Sequence, residues 1–478
     1  MSAGAPLDPL GSGALERELP GIRGAYDPAA MRGHLQDALV GPGGTATVQR
    51  CVPAEAVLLD GECCVVRYRL EVEDAAGQVR RALVTGRVYP DVGRAAAYAA
   101  ERLAPLAAQV RGREEVAAFA APVALVEPLG MAVHAFPVDG ELPTLVAATD
   151  PAVAADALGE LLAASGRADL DVEGVRVEPV HYNRRHRCMF RYHLELDRGR
   201  RLVLYGKVGN DGAGARTPAV VDGLRATLAD ARVAVPECLG FNDDLQLVVL
   251  TEIPGVPQVA QLLKARLRGG PPPAAATGLT LEDAVDACGR IAAALHTSGL
   301  RLGAPRPLAG ELERLRADLA PIRRLSPALG RLLGRWVDLT EQRGAATPAL
   351  PACQSHGDFS YTQLIFDGPR SGLVDFDTFC QAEPAMDLGH FLAYLRFAGV
   401  KARGGRAAAA RAELTERLAG RFTAAYTEEG GDGAALARVP VYEAISLLRL
   451  AEHAWRNLKA ERLDYVVGAL DERLPLDT

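Results

Sequence analysis

SHGDFSYTQLIFDGPRSGLVDFDTF, residues 355–379, sets two carboxylates, Asp358 and Asp375, in otherwise apolar surroundings, each followed by a Phe. Between them lie an amide, Gln363, and the run DGPRSG at 367–372, whose Gly and Pro predict the turn of a hairpin. Val374 and Phe376 alternate with Asp375 and Asp377, so a continuous strand would aim both Asp side chains at one face. Closing the hairpin returns Gln363, at the start of the strand QLIF, to the neighbourhood of Asp375. Carboxylates with one amide carbonyl make an oxygen-rich donor set, which suits Mg²⁺ better than zinc. Asp358 follows His356-Gly357 in a loop and stands at the edge of that set, free to accept a proton.

A chain of 478 residues is too long for one ordinary core, which predicts two or three domains. Hydrophobic residues make up 49%, ample for burial, and the net charge of −7 comes with no long basic run. That balance argues against nucleic acid or an anionic membrane as the main partner. The eight cysteines are scattered with no C-x-x-C pair, so neither a disulfide framework nor a zinc site is signalled. Free thiols in a reducing cytosol are the expectation. MSAGAPLDPLGSG at the N-terminus lacks the basic and apolar regions of a secretory signal. No stretch approaches the roughly 20 apolar residues of a membrane helix. The expectation is a soluble, cytoplasmic protein.

An internal repeat organises the first half. CCVVRYRLEVEDAAGQVRRALVTGRVY (63–89) resembles RCMFRYHLELDRGRRLVLYGKV (187–208), with a shorter turn in the second copy. Arg67-Tyr68 matches Arg191-Tyr192, and Thr85-Gly86-Arg87 matches Tyr205-Gly206-Lys207. Each copy reads as a β-hairpin, followed by a helical stretch (about 92–110 and 215–230) and two short strands (near 120–136 and 235–252). From about 257 the character turns helical. TLEDAVDACGRIAAALHTSG (280–299) opens on a Thr cap, carries Glu282 and Asp283 in its first turn and stops at Gly299. The predicted organisation is a lead-in over 1–28, a first sheet-rich lobe over 29–165, a second over 166–256, and a helical lobe holding the hairpin over 257–478.

HGDFSYTQ followed by LVDFD resembles the catalytic core of the aminoglycoside phosphotransferase and choline-kinase-like family of small-molecule kinases. That family's pattern is H-x-D-x-x-x-x-N, then a hydrophobic strand ending in D. The resemblance implies an α+β, protein-kinase-like two-lobed fold, here with an additional degenerate N-lobe-like domain at the N-terminus. It implies ATP and Mg²⁺ as cofactors and a small-molecule hydroxyl as acceptor. Asp358 is then the base that orients or deprotonates that hydroxyl, Asp375 the metal ligand, and Gln363 stands where the second ligand is normally Asn. Maltokinase-like sugar kinases also have Gln there, which mildly favours a sugar or aminosugar, with an aminoglycoside, amino alcohol or macrolide still open.

On the same resemblance Lys207, one of only four lysines, takes the α/β-phosphates. Its usual helical Glu partner is missing; no Glu lies between Lys207 and Glu237, and Asp222 is the best substitute. HYNRRHR (181–187) stands where a Gly-rich phosphate loop is expected, so Arg184 and Arg185 either reach phosphates or decorate a solvated turn. LVVLTEIPGVP (247–257) resembles the linker between lobes, with backbone groups near Glu252 and Ile253 meeting the adenine edge.

EPAMDLGHFLAYL (383–395) resembles the family's segment after the metal ligand, which implies that Asp387 braces the catalytic loop; His356 is expected to bond backbone rather than act as a base. Asp377 reads equally as a second metal ligand or a solvated strand residue. AEHAWRNLKAER (451–462) puts Trp455, Arg456 and Lys459 on one helix, either for packing or as a substrate wall. Arg87 stands at the Lys207 position of the first copy, where a guanidinium is a poor replacement for a compact ammonium, so that copy is expected to be non-catalytic. A different class, a pseudokinase-like module sensing a nucleotide or metabolite, fits the stripped first lobe and the Gln-for-Asn change.

Overall fold

A computed structural model of the chain describes residues 8–11, 13–183, 187–228, 233–271, 278–368, 370–402 and 407–476. The chain divides into two compact units. One comprises Met1–Ala215, Leu239–Val249 and Ala454–Ala460; the other comprises Arg216–Cys238, Leu250–His453 and Glu461–Thr478.

The first unit holds two five-stranded sheets. One is built from β1 (Thr47–Leu59), β2 (Cys63–Glu73), β3 (Val79–Val88), β4 (Val123–Val126) and β5 (Met131–Ala135). The other uses β6 (Val172–Asn183), β7 (Arg187–Leu196), β8 (Arg201–Gly209) and, past the two-residue β9 (Val233–Ala234), β10 (Cys238–Asn242) and β11 (Leu247–Thr251). Their orders, β1-β2-β3-β5-β4 and β6-β7-β8-β11-β10, are the same order written twice. The repeat in sequence is therefore a repeat in topology.

One local device recurs in both sheets. In the first copy Val66 pairs with Gly86, and in the second Phe190 pairs with Gly206. Each glycine lies beside the Tyr two residues along the neighbouring strand. A Cβ at Gly206 would come within 2.2 Å of the Tyr192 ring, whereas one at Gly86 would first meet Met131 Cε at 2.1 Å, with the Tyr68 ring at 3.4 Å. Each phenol reaches a backbone carbonyl: Tyr68 donates to Ala25 O at 2.7 Å and Tyr192 to Ala148 O at 2.9 Å. A buried hydroxyl left without such a partner would be costly.

Arg87, at the first copy's Lys207 position, is buried, with Glu141 3.3 Å away and the Tyr98 ring centroid at 4.6 Å. Arg67 stacks over Tyr182 at 3.8 Å, donates to its carbonyl oxygen and meets Glu55 at 3.2 Å, while the Tyr182 hydroxyl donates to Asp139. Arg87 and Arg67 thus both have acidic partners within the first unit.

The second unit is mostly helical and carries the hairpin that follows Gln363. β14 (Leu364–Asp367) and β15 (Arg370–Leu373) pair antiparallel, and β9 runs parallel to β15. A second small sheet orders β12 (Ala304–Pro305), β16 (Cys380–Ala382) and β13 (Cys353–Ser355). Its core includes Phe359, Phe366, Phe376, Phe391 and Phe422, the last two stacked with centroids 4.0 Å apart. The helix Leu281–His296 begins as its sequence predicts, with the Thr280 hydroxyl accepting from Asp283 N at 3.1 Å.

Two sequence expectations are corrected. The strand before the second Asp stops at Leu373, and Phe376–Thr378 is a 3₁₀ turn, so Asp375 and Asp377 do not alternate along one strand. The helix carrying Trp455 and Arg456 ends at Arg456. Leu458 turns left-handed at φ 54°, which leaves Lys459 off that helix, its backbone N donating to Ala454 O at 2.8 Å. In both places a backbone turn interrupts a side-chain periodicity that continues in the sequence.

His134 on β5 is buried, with Nδ1 bonded to Val138 O. Burial pushes its pKa down to about 4; nearby Asp139 opposes this, and Arg87 and Arg67 reinforce it. The folded pKa lies below the unfolded value of about 6.5, so the unfolded chain binds more protons between those limits. Stability therefore falls as pH drops through that window, by about 1.4 kcal/mol per pH unit once well inside it. Denaturant melts at pH 7 and pH 5 are expected to show this loss, and His134→Gln to flatten it.

Candidate active site

The site begins with a buried acid. Asp387 sits in the first turn of the helix Ala385–Lys401 and is inaccessible to solvent. Its Oδ2 accepts from His356 N at 2.7 Å and its Oδ1 from Gly357 N at 2.9 Å. His296 Nε2 lies 3.2 Å from the same Oδ2, and His296 Nδ1 is 3.1 Å from the Tyr426 hydroxyl. Burial opposes ionisation, but the hydrogen bond and charge of His296, with help from His356, outweigh it and hold the carboxyl below the ordinary aspartate value. Asp387 is the brace that the sequence led us to expect.

His356 is a brace as well. Its Nε2 is 3.0 Å from Val374 O, and its own carbonyl accepts from Thr378 Oγ1 at 2.9 Å. These bonds tie the loop before Asp358 to the segment around Asp375. Gly357 between them has φ 80°, and a Cβ there would meet Thr378 O at 2.3 Å, so only glycine fits.

The loop delivers Asp358, half-buried, beside three partners. Gln363 Nε2 is 3.2 Å from Asp358 Oδ2 and 3.5 Å from Asp375 Oδ2, so one amide spans both carboxylates. The pairing of Leu364 with Leu373 and the bond from Val374 N to Gln363 O at 3.1 Å put it there. Asp375 itself is left-handed, at φ 67° and ψ 71°. Such a conformation costs on the order of 1–3 kcal/mol in a non-glycine residue and concentrates at functional sites.

The third partner carried no assigned role in the sequence. His390 Nε2 lies 2.8 Å from Asp358 Oδ1, its ring lies tilted against Tyr394 with centroids 4.5 Å apart, and its Nδ1 is 3.4 Å from Ser446 Oγ. The signal was present: His390 falls three residues after Asp387, on the same helix face that braces the loop. Burial opposes the Asp358 charge, but contact with His390, the charges of His390 and His356, and the Gln363 amide together hold its pKa below the ordinary aspartate value. Asp358 is therefore an anion throughout the physiological range.

Two carboxylates and an amide are a sparse donor set. Among the described residues no group of three or more His, Cys, Asp or Glu side chains could hold a metal ion. Two carboxylates and an amide oxygen are hard donors of the kind Mg²⁺ takes, with waters and phosphate oxygens filling the rest of its shell. The Gln363 amide offers its nitrogen to the carboxylates; rotating it by half a turn would offer the oxygen. Asp377, in the 3₁₀ turn beyond, is half-buried.

The other residues singled out in the sequence are spread over both units. Glu252 and Ile253 follow β11 in the second unit, where Val256 exchanges backbone bonds of 2.9 and 3.1 Å with Phe366 of the hairpin. Ile253 also covers Gly372, where a Cβ would come within 2.8 Å of its Cγ2. Asp222 is exposed on the helix Thr217–Leu228 of the second unit. Lys207 lies half-buried on β8 of the first unit, opposite Met189. Arg184 and Arg185 lie outside the described residues, and the neighbouring Arg187 is bonded to Asp211 at 2.6 Å.

Residues 190–430 match the model of the phosphotransferase enzyme family, APH, a span of just over half the chain that includes the braced loop and the hairpin. The chain belongs to that family. Membership brings with it the protein-kinase-like α+β fold that the HGD and DFD motifs implied. Similar solved structures include a choline/ethanolamine kinase family protein from Mesorhizobium loti, at 19% identity over 66% of this chain and 94% of that one, with a TM-score of 0.42. A choline kinase from Streptococcus pneumoniae is similar at 11% identity, 66% and 98% coverage and a TM-score of 0.44. So is a thermostable aminoglycoside phosphotransferase solved with AMP-PNP and hygromycin B, at 15% identity, 63% and 93% coverage and a TM-score of 0.42. No curated protein matches the chain.

For this APH-family chain, Asp387→Asn replaces an acceptor of two backbone N–H groups with an amide whose NH₂ faces one of them. Breaking such a buried charged network is expected to cost about 3 kcal/mol, read as a lower denaturant midpoint.

Proposed function

We propose that the chain is an ATP- and Mg²⁺-dependent phosphotransferase acting on a hydroxyl of a small molecule. The observation that carries the reading is the convergence of Asp358, Gln363 and a left-handed Asp375 on a loop locked by Asp387. Phosphoryl transfer needs chiefly positioning and charge neutralisation, which a set this small can supply.

In the proposed reaction the acceptor oxygen bonds to the γ-phosphorus while the bond from that phosphorus to the β–γ bridging oxygen breaks. Asp358 accepts the hydroxyl proton, and His390 at 2.8 Å stabilises the carboxylate in its orientation. Asp375 and Gln363 would hold Mg²⁺, with Asp377 as a further candidate ligand. Bound Mg²⁺ would neutralise phosphate charge. Lys207 is the nucleotide-binding cation that the resemblance assigns, and Asp222 its acidic counterpart; Glu252 and Ile253 are assigned to the adenine edge.

The first sheet copy is proposed not to bind nucleotide. Arg87 there is buried against Glu141 and Tyr98, so its charge is committed within the protein.

Mg²⁺-dependent ATP consumption on pooled sugars, amino alcohols and hydroxy acids tests the reading. Asp358→Asn is expected to lower kcat by roughly 10²–10⁴-fold while leaving nucleotide binding intact. Nucleotide binding without turnover in any pool would favour the sensor reading instead. Calorimetric titration is expected to find one ATP per chain; two would overturn the silent first copy.

A further inference from the structure

We propose that the acceptor is an anionic hydroxy compound, a polyol or sugar bearing a phosphate or carboxylate group, held in a cationic cavity of the second unit. This inference rests on the phosphotransferase reading and names its substrate class.

The cavity measures about 490 Å³ and takes its walls from the helix Gln258–Arg268, the loop after Asp358, the helix Ala385–Lys401 and the helix Ala460–Arg473. Lys264, Arg268, Lys401 and Arg462 line it, and no lining residue is acidic. The composition makes this notable: the chain has four lysines and a net charge of −7, yet two of those lysines meet here. Lys264 and Arg268 are four residues apart on one helix, a like-charge spacing that weakens a helix slightly. Among the described residues, Lys264, Arg268 and Lys401 make no ion pair. All three are exposed, so their charges are presented to whatever enters the cavity.

The cavity adjoins the base. Tyr361 and Tyr394 line it. Tyr361 sits in the loop between Asp358 and Gln363, and Tyr394 lies tilted against His390, which contacts Asp358 at 2.8 Å. An acceptor lying on the tyrosine faces would thus have its hydroxyl near Asp358 and its charged end among the cations. Aromatic faces with a few placed polar groups suit a sugar ring. The four cations repel an aminosugar, amino alcohol or aminoglycoside, which turns the substrate preference away from the amino compounds that Gln363 and the family resemblance had left open.

Steady-state kinetics on the full chain with glucose, glucosamine, glucuronate and glucose 6-phosphate, beside direct binding of the same four probes with Mg²⁺-nucleotide present, tests the inference. The anionic probes are expected to bind and react roughly 10–100-fold better than glucose, as one or two charge-assisted contacts would give. Glucuronate and glucose 6-phosphate separate the carboxylate from the phosphate. The doubly substituted Lys264→Met, Lys401→Met protein should lose that advantage, Lys264→Arg should keep it, and added salt should erode it.

Preference for glucose or glucosamine, or an unchanged preference in the double variant, would overturn the anionic class and leave the kinase reading standing. Charge-dependent binding of the anions with no phosphoryl transfer would support the cavity and sink the kinase reading. No binding of either anion would overturn the cavity.

Discussion

One buried carboxylate organises the loop and hairpin around Asp358 and Asp375. Asp387 spends its two oxygens on consecutive backbone N–H groups, those of His356 and Gly357, and has His296 beside it. A carboxylate buried this deeply stays charged only because those donors replace its water. The same bonds leave the following residue, Asp358, with little freedom. From there His356 reaches Val374 O and Thr378 reaches back to His356 O, so the loop and the end of the hairpin hold each other. Asp375 tolerates its left-handed backbone because the structure on both sides of it is already tied down.

The duplicated sheets show how one architecture serves two ends. Both copies keep the strand order, a glycine beside the tyrosine, and the phenol that caps a backbone carbonyl. They part at one position. Where the second copy has a half-buried lysine, the first has an arginine drawn inward onto Glu141 and Tyr98. A guanidinium, planar and weakly hydrated, is well suited to such a buried stacked pair. Packing survived the duplication; the charge at that position turned inward.

Much of this was legible in the chain. The hairpins showed as alternation around polar turns, the repeat as matched Arg-Tyr and Gly positions, and the helix from Leu281 as a Thr cap with an acidic first turn. These features depend on neighbours a few residues away. The strand reading of Asp375 and Asp377 failed because a 3₁₀ turn breaks the backbone where the side-chain pattern continues. His390 went unassigned because a histidine in an apolar helix usually packs, and only the loop opposite gives it a carboxylate.

The sequence by itself determined the motif that carries the family resemblance: two acids and an amide at a spacing that a hairpin closes, with a glycine and a histidine before the first. Local geometry is enough to read those, since a turn of fixed length returns one strand to the other. Tertiary structure alone decided what surrounds them. The meeting of Asp387 with His296 spans 91 residues, and that of Arg462 with the loop after Asp358 about a hundred. Such long-range contacts follow from which helix faces bury together, and no periodicity along the chain records which charges that burial will gather.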